Sequence, residues 1–272
     1  MRNERNYIVF FAAILSGIVL SYAYVAPYSG CITLSELVWQ LSGSSGELAL
    51  GFNSVEIVGF AMRLTPIWIL EMFLGIELYQ HFCTASVFVF SRCTDRSQWY
   101  WRETLNVALK VFLFHVIFLG FVIATAMMRY EVEIDAAGVI PCGYHLLIYL
   151  LWSLAMTVLV NILALKFGSS ISFMVVMMIQ AVGIALFCLG GMFEDRTPQQ
   201  EVVLIWNPMA HLVLGWQRSI FPQVMGQPLY ENFYLEVTLL FLLVLNVVVL
   251  ILGAVMIKKQ DLLVSDCEIG VI

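Results

Sequence analysis

A chain of 272 residues with 61% hydrophobic and 12% charged side chains and a mean hydropathy of +0.92 holds more apolar surface than a water-soluble interior of that size can hide, which excludes a soluble globular domain. The formal charge of -6 does not suit a nucleic-acid-binding chain, whose phosphate contacts need a concentrated basic face. The cysteines at 31, 83, 93, 142, 188 and 267 form no C-x-x-C pair, and no histidine stands at metal-ligand spacing, so no metal site is expected.

Arg2 and Arg5 precede Tyr7–Ala26, an apolar run about as long as a bilayer crossing requires. It is too long for the apolar core of a signal peptide, and Val25-Ala26-Pro27 lacks the small-x-small pattern of a cleavage site, so it reads as a retained first span. From Pro27 to Val55 the chain is polar and glycine-rich. Within it Thr33-x-x-Glu36 has the form of a capping box, in which hydroxyl and carboxylate each take a backbone N–H, and predicts a short amphipathic helix to about Leu41.

The second span, Glu56–Tyr79, carries Arg63, Pro66, Glu71 and Glu77. A charge at mid-bilayer costs roughly 2.5 to 3.5 kcal/mol on insertion scales, so such side chains are expected to face protein or water and to find partners. Lys110 and His115, early in the third span, are the nearest candidates, and an antiparallel helix pair brings Glu77 towards Lys110, with Glu71 as a further candidate. Two readings stay open for Glu71, Glu77, Lys110 and His115: a polar translocation surface or gating ion pair, or a structural pair that fixes helix register.

Residues 80–102 set Arg92, Asp95, Arg96 and Arg102 among Trp99, Tyr100 and Trp101. A half-polar, aromatic-rich connector between spans suits the headgroup level, where it presents its polar face to something in the water; the alternative is an ordinary interfacial anchor. The third span is Glu103–Met128, and an acidic stretch with Glu131, Glu133 and Asp135 leads to the fourth, Cys142–Leu165. A tight Phe167-Gly-Ser-Ser turn opens the fifth, Ile171–Phe193, which carries Gln180 and the small residues Gly183, Gly190 and Gly191 that permit close helix approach.

Residues 194–232 form a second large excursion, within which Val202–Phe221 is apolar but broken at Asn207-Pro208 and studded with Trp206, His211 and Trp216. Proline removes a backbone donor and clashes with the preceding turn, so this stretch is expected as two short helices dipping into the outer leaflet or as a re-entrant hairpin. Its aromatics read as an outer belt with a buried, hydrogen-bonded histidine, or as cargo contacts. The sixth span, Phe233–Ile257, stops at Lys258-Lys259. With the N-terminus inside, both ends are cytoplasmic, and Arg2, Arg5, Arg92, Arg96, Arg102, Lys166, Lys258 and Lys259 lie on the positive side. Cys31 and Cys142 then both fall outside, where a disulfide is chemically allowed; the alternative is two thiols at unrelated helix ends.

Ser91-Arg92-x-x-x-Arg96-x-x-Trp99, Trp206-Asn207-Pro208-x-x-His211-Leu212-x-Leu214-x-Trp216 and Lys258-Lys259-x-Asp261-Leu262, set in this six-span plan, resemble the type-2 ABC permease family, the membrane subunits of bacterial ABC exporters. The resemblance covers nearly the whole chain and implies one all-α polytopic permease domain over residues 1–272 in the bacterial cell membrane, with a cytoplasmic coupling helix between spans two and three and short re-entrant helices outside between spans five and six. Only six residues precede the first span, too few for the family's N-terminal connecting helix. The chain has no G-x-x-x-x-G-K-[ST], so ATP and Mg belong to a partner ATPase, with Arg92, Asp95, Arg96, Trp99 and Trp101 implied at the coupling contact.

The resemblance further implies a second permease chain, the same or different. It is closest to small permeases of peptide antibiotic or bacteriocin export and immunity systems, the ground for an expected peptide cargo. The competing classes are an ion- or proton-coupled carrier using Glu71 and Lys110, and an intramembrane enzyme drawing on Glu71, Glu77, His81, His115, His145 and His211, which form no H-E-x-x-H or similar arrangement.

Overall fold

The computed structural model describes residues 2–27, 30–43, 54–88, 96–191, 206–220 and 233–259. Runs of Leu, Val, Ile, Phe and Met cannot leave backbone N–H and C=O groups bare in hydrocarbon, and the helix satisfies them within the segment. The elements accordingly run α1 (Arg2–Tyr24), β1 (Cys31–Thr33), α2 (Leu34–Ser42), α3 (Ser54–Leu74), α4 (Glu77–Phe88), α5 (Arg96–Arg129), β2 (Glu131–Glu133), α6 (Ala136–Phe167), α7 (Ser169–Gly191), two 3-10 turns (Pro208–Leu212 and Leu214–Trp216) and α8 (Leu235–Lys259). Among the described residues six helical segments are long and apolar enough to cross a membrane, with α3 and α4 together supplying one, the make-up of a multi-pass membrane protein.

Unlike a soluble protein, the bundle is apolar on its outer faces as well as in its core, and the polar side chains within the spans turn inward. Tyr7, Phe11, Leu15, Val19 and Tyr22 form an exposed stripe on α1, and Val237, Leu240, Val244, Val248 and Ile251 are exposed on α8. Ser21, Glu71, His115, Ser153, Thr157, Asn161, Gln180, Thr238 and Asn246 are buried. Apolar faces outward and hydrogen-bonded polar groups inward are what a hydrocarbon solvent selects.

Helix α6 is the centre: α2, α5, α7 and α8 all pack on it, and α1 lies along α5. The α1/α5 approach is close because Gly17 faces the α5 backbone, where an added Cβ would sit 2.7 Å from the Phe118 carbonyl oxygen. Beyond these helices β1 and β2 pair in parallel, Ile32 opposite Val132, a short ladder that the apolar periodicity did not announce. This strand end of the bundle also carries α2, whose Thr33–Glu36 capping box is formed as expected, with both reciprocal hydrogen bonds present.

The second span departs from its expected single helix over Glu56–Tyr79. Helix α3 ends at Leu74, Gly75 and Ile76 form a turn, and α4 restarts at Glu77. An ended helix inside a bundle strands carbonyls on one side and N–H groups on the other. Asn161 of α6 meets both: its Oδ1 accepts from the N–H of Leu78 (2.8 Å) and Tyr79 (3.1 Å), and its Nδ2 donates to the carbonyl of Leu74 (2.9 Å). Gly75 supplies the clearance, since a Cβ there would stand 2.9 Å from Val160 Cγ1. The third span also differs, beginning at Arg96 rather than Glu103 and running 34 residues, about 50 Å.

Replacing Asn161 by Leu leaves those backbone groups buried without partners, at about 1 to 3 kcal/mol each. We expect Asn161→Leu to lower unfolding stability in detergent by at least about 3 kcal/mol. An unchanged unfolding midpoint would show that something other than Asn161 holds the break.

Candidate functional site

At the end opposite the strands, α4 and the start of α5 form a hairpin with polar rungs. Glu77, in the first turn of α4, is ion-paired to Lys110 of α5, with side chains 1% and 12% exposed. One turn further along α4, His81 Nδ1 lies 3.0 Å from Glu103 Oε2, which also meets Asn106 Nδ2 at 3.5 Å, while Arg102 flanks the same carboxylate at 3.6 Å. The rungs align because 77 and 81 share a face of α4, and 103, 106 and 110 share a face of α5.

The apolar side of the hairpin is anchored on the bundle. Leu78, Tyr79, Phe82, Trp99 and Tyr100 pack with Leu165 of α6 and Ile257 of α8. Trp99 meets Phe82 edge-on at 5.9 Å, and the Tyr100 hydroxyl donates to the Leu250 carbonyl of α8 at 3.1 Å. Of the two tryptophans expected at a membrane interface, Trp99 is 8% exposed and faces into the protein, whereas Trp101 is 46% exposed. Arg96 opens α5; Arg92 and Asp95 lie outside the described residues.

Glu71 does not join Lys110. At 3.6 residues per turn, six positions of helix rotate a side chain by about 240°, so one cation cannot face both Glu71 and Glu77 even before the Gly75–Ile76 break is counted. Glu71 Oε2 instead accepts from Gln180 Nε2 of α7 at 2.7 Å, and Gln180 Oε1 accepts from Trp68 Nε1 at 2.9 Å. His115 also stands apart from the ion pair: its Nε2 is 2.8 Å from Ser153 Oγ, and that hydroxyl donates to the Tyr149 carbonyl at 2.6 Å. Arg63 is 8% exposed, with its guanidinium 4.4 Å over the Tyr24 ring.

At the strand end, the Asn207-Pro208 break starts a 3-10 turn. Asn207 caps it by accepting from the Met209 N–H (3.0 Å), and its Nδ2 donates to the Gly183 carbonyl (2.7 Å). His211 is buried, 2.8 Å from Thr238 Oγ1 and stacked on Phe241, and Thr238 donates to Gln217 at 2.6 Å. Trp216 is buried and Trp206 is 75% exposed. The belt-with-buried-histidine reading therefore describes His211, while of the two tryptophans only Trp206 faces out.

The backbone satisfaction by Asn161 and the Glu71 partner Gln180 were not assigned from the sequence. Their signal was a lone amide inside an apolar run, which in hydrocarbon needs a partner on another helix. Among the described residues no three His, Cys, Asp or Glu side chains converge as metal ligands. Cys31 and Cys142 are both free thiols rather than a disulfide. Partial burial and the carboxylates of Glu133, Glu131 and Glu36 push the Cys31 thiol above its ordinary range.

The chain matches no family model, no curated protein and no solved structure.

Two outcomes follow from this geometry. Lys110→Met strands the Glu77 carboxylate and is expected to cost about 3 to 5 kcal/mol, and Glu77→Gln combined with Lys110→Met to recover most of it, since both charges are then gone. A double-mutant cycle on unfolding measures this, and additive losses would mean that the two side chains do not interact. Because only the thiolate alkylates, Cys31 should react with maleimide more slowly at pH 8 than a thiol in an unfolded peptide and gain on it as pH rises. Equal rates at pH 8 would contradict the acidic surroundings.

Proposed function

We propose that this chain is the membrane-spanning permease subunit of an ABC exporter, driven by a separate ATPase, with a peptide as cargo in export or self-immunity. The observation that carries the reading is the α4/α5 hairpin. It is cross-braced by the Glu77–Lys110 and His81–Glu103 contacts and seated on α6 and α8 through Phe82, Trp99, Tyr100 and Ile257. A push on the segment joining α4 to α5 therefore reaches both helices through packed, hydrogen-bonded contacts, which is what a coupling element must do.

In this reading the hairpin end is cytoplasmic, in keeping with Arg5, Arg96, Arg102, Lys166, Lys258 and Lys259 at that end. ATPase subunits dock around Thr84 to Trp101, with Arg92 and Arg96 making charged contacts and the exposed Trp101 at the rim. ATP binding closes the ATPase pair and biases two permease chains between two packings, a rigid-body change of a bistable interface. Cargo passes, or is drawn from the bilayer, where the two chains meet.

A second reading, an ion- or proton-coupled carrier, has one observation in its favour. Glu71 is fully buried, and its Oε1 has no hydrogen-bond partner among the described residues. Lys110 is committed to Glu77, so this carrier would work through Glu71 and Gln180 rather than Glu71 and Lys110.

The experiment is purification from native membranes in mild detergent with an assay for bound, vanadate-sensitive ATP hydrolysis. We expect a stoichiometric ATPase, and we expect the double variant Arg92→Ala, Arg96→Ala to weaken its association about tenfold or more while the permease stays folded. A stable chain that carries no ATPase, and whose transport fails in Glu71→Gln, would replace this reading with the carrier.

A further inference from the structure

A second polar cluster lies inside the bundle, apart from the hairpin's ion pairs, and owes nothing to the exporter reading. Arg63 of α3, His115 of α5, and His145 and Tyr149 of α6 line a small cavity whose remaining walls are apolar side chains of α1, α2, α3 and α5. His145 is 2% exposed and its ring is stacked on that of Tyr149, centroids 4.1 Å apart. Neither of its ring nitrogens has a hydrogen-bond partner among the described residues.

A neutral imidazole carries one N–H donor and one acceptor nitrogen, and burying both without partners is costly. The neighbouring polar groups are already turned to other tasks: His115 Nε2 meets Ser153, and the Tyr149 hydroxyl donates to the Leu212 carbonyl at 3.2 Å. His145 therefore needs a partner that is not a side chain of this cluster.

The space decides what that partner is. The cavity offers about 10 Å³ to the centre of a water-sized sphere, which is the room of one water molecule and far less than any peptide or organic group needs. Most of the lining is apolar, so a held water depends on the few polar side chains at the cavity, those of Arg63, His115 and His145. We propose that the cavity is a hydration site in which one ordered water, hydrogen-bonded to a ring nitrogen of His145, bridges it to Arg63 and His115. A water both donates and accepts, so it serves either tautomer of His145, whereas an anion accepts only and would leave the acceptor nitrogen unmatched. Such a water links α3, α5 and α6 through a contact that can re-form after a small helix displacement, because a water reorients at little cost.

The chain has only four histidines, at 81, 115, 145 and 211, which makes the test direct. The whole protein, labelled with ¹⁵N-histidine and reconstituted in lipid bilayers, is measured by water-edited solid-state NMR, with each ring assigned by the signal lost in single His→Asn variants. Partly exposed His81 and the buried, Thr238-bonded His211 are internal standards. We expect His145 to receive magnetisation from water about as fast as His81, with His211 slow. A His145 signal as slow as that of His211 overturns the proposal. A His145 shift that follows the replacement of chloride by bromide overturns it in favour of a bound anion. Thermal unfolding of His145→Phe gives an independent sign: a lowered midpoint is expected for a ring bonded through water, and a raised one means that the imidazole was dry.

Discussion

In hydrocarbon a backbone N–H or C=O without a partner has no water to fall back on, and the fold depends on how that constraint is met where a helix stops inside the bundle. The stop is at Gly75, and its answer is one amide side chain. Asn161 takes two N–H groups from the start of α4 and returns one of its own to the carbonyl at the end of α3. Because Asn161 sits on α6, the helix on which most of the others pack, the break is referenced to the centre of the molecule. The direction of α4, and with it the placement of Glu77 and His81 against α5, follows from that attachment.

The two acidic residues of the second span show how burial alone does not decide chemistry. Glu77 has a cation, Lys110, and the pair brings an unpaired charge to neither helix. Glu71 has only an amide donor, with Trp68 completing the chain behind it. A buried ion pair is a weak source of net stability but a strong selector of register, because any slip strands both charges. The amide chain tolerates more, since Gln180 can turn. One carboxylate therefore fixes the hairpin, and the other sits in an environment that leaves its chemistry open.

Six long apolar segments, the capped helix after Thr33 and the approach of Glu77 to Lys110 were legible in the sequence, since each rests on a local signal: segment length, an S/T-x-x-E spacing, or opposite charges entering an antiparallel turn. The break at Gly75 was not, because Glu56–Tyr79 reads as one apolar run and its cause, Asn161, lies in another helix. The parallel β1/β2 pair was hidden for a similar reason: three-residue strands carry no period, and their partners are fixed only by the packing of α1 on α5. Rotation about the helix axis separated Glu71 and His115 from Lys110, a simple count that charge alone had obscured. Tyr149, stacked on His145, shows the same limit, since an isolated histidine in an apolar run does not disclose what it faces.

The matched course of α1 and α5 has a consequence for synthesis. The two helices run in parallel, Gly17 beside Phe118 and Ser21 beside Val122, and each leads into a strand of the same small ladder. Yet 101 residues separate Ser21 from the carbonyl it donates to. At translation speeds of roughly 5 to 20 residues per second, the face of α1 that bears Val9, Ala13, Gly17 and Ser21 spends about 5 to 20 seconds without its long-term neighbour. During that interval lipid or the insertion machinery occupies the groove that α5 later fills. Assembly of this bundle is thus paced by the arrival of α5, and α1 is a helix inserted early and docked late.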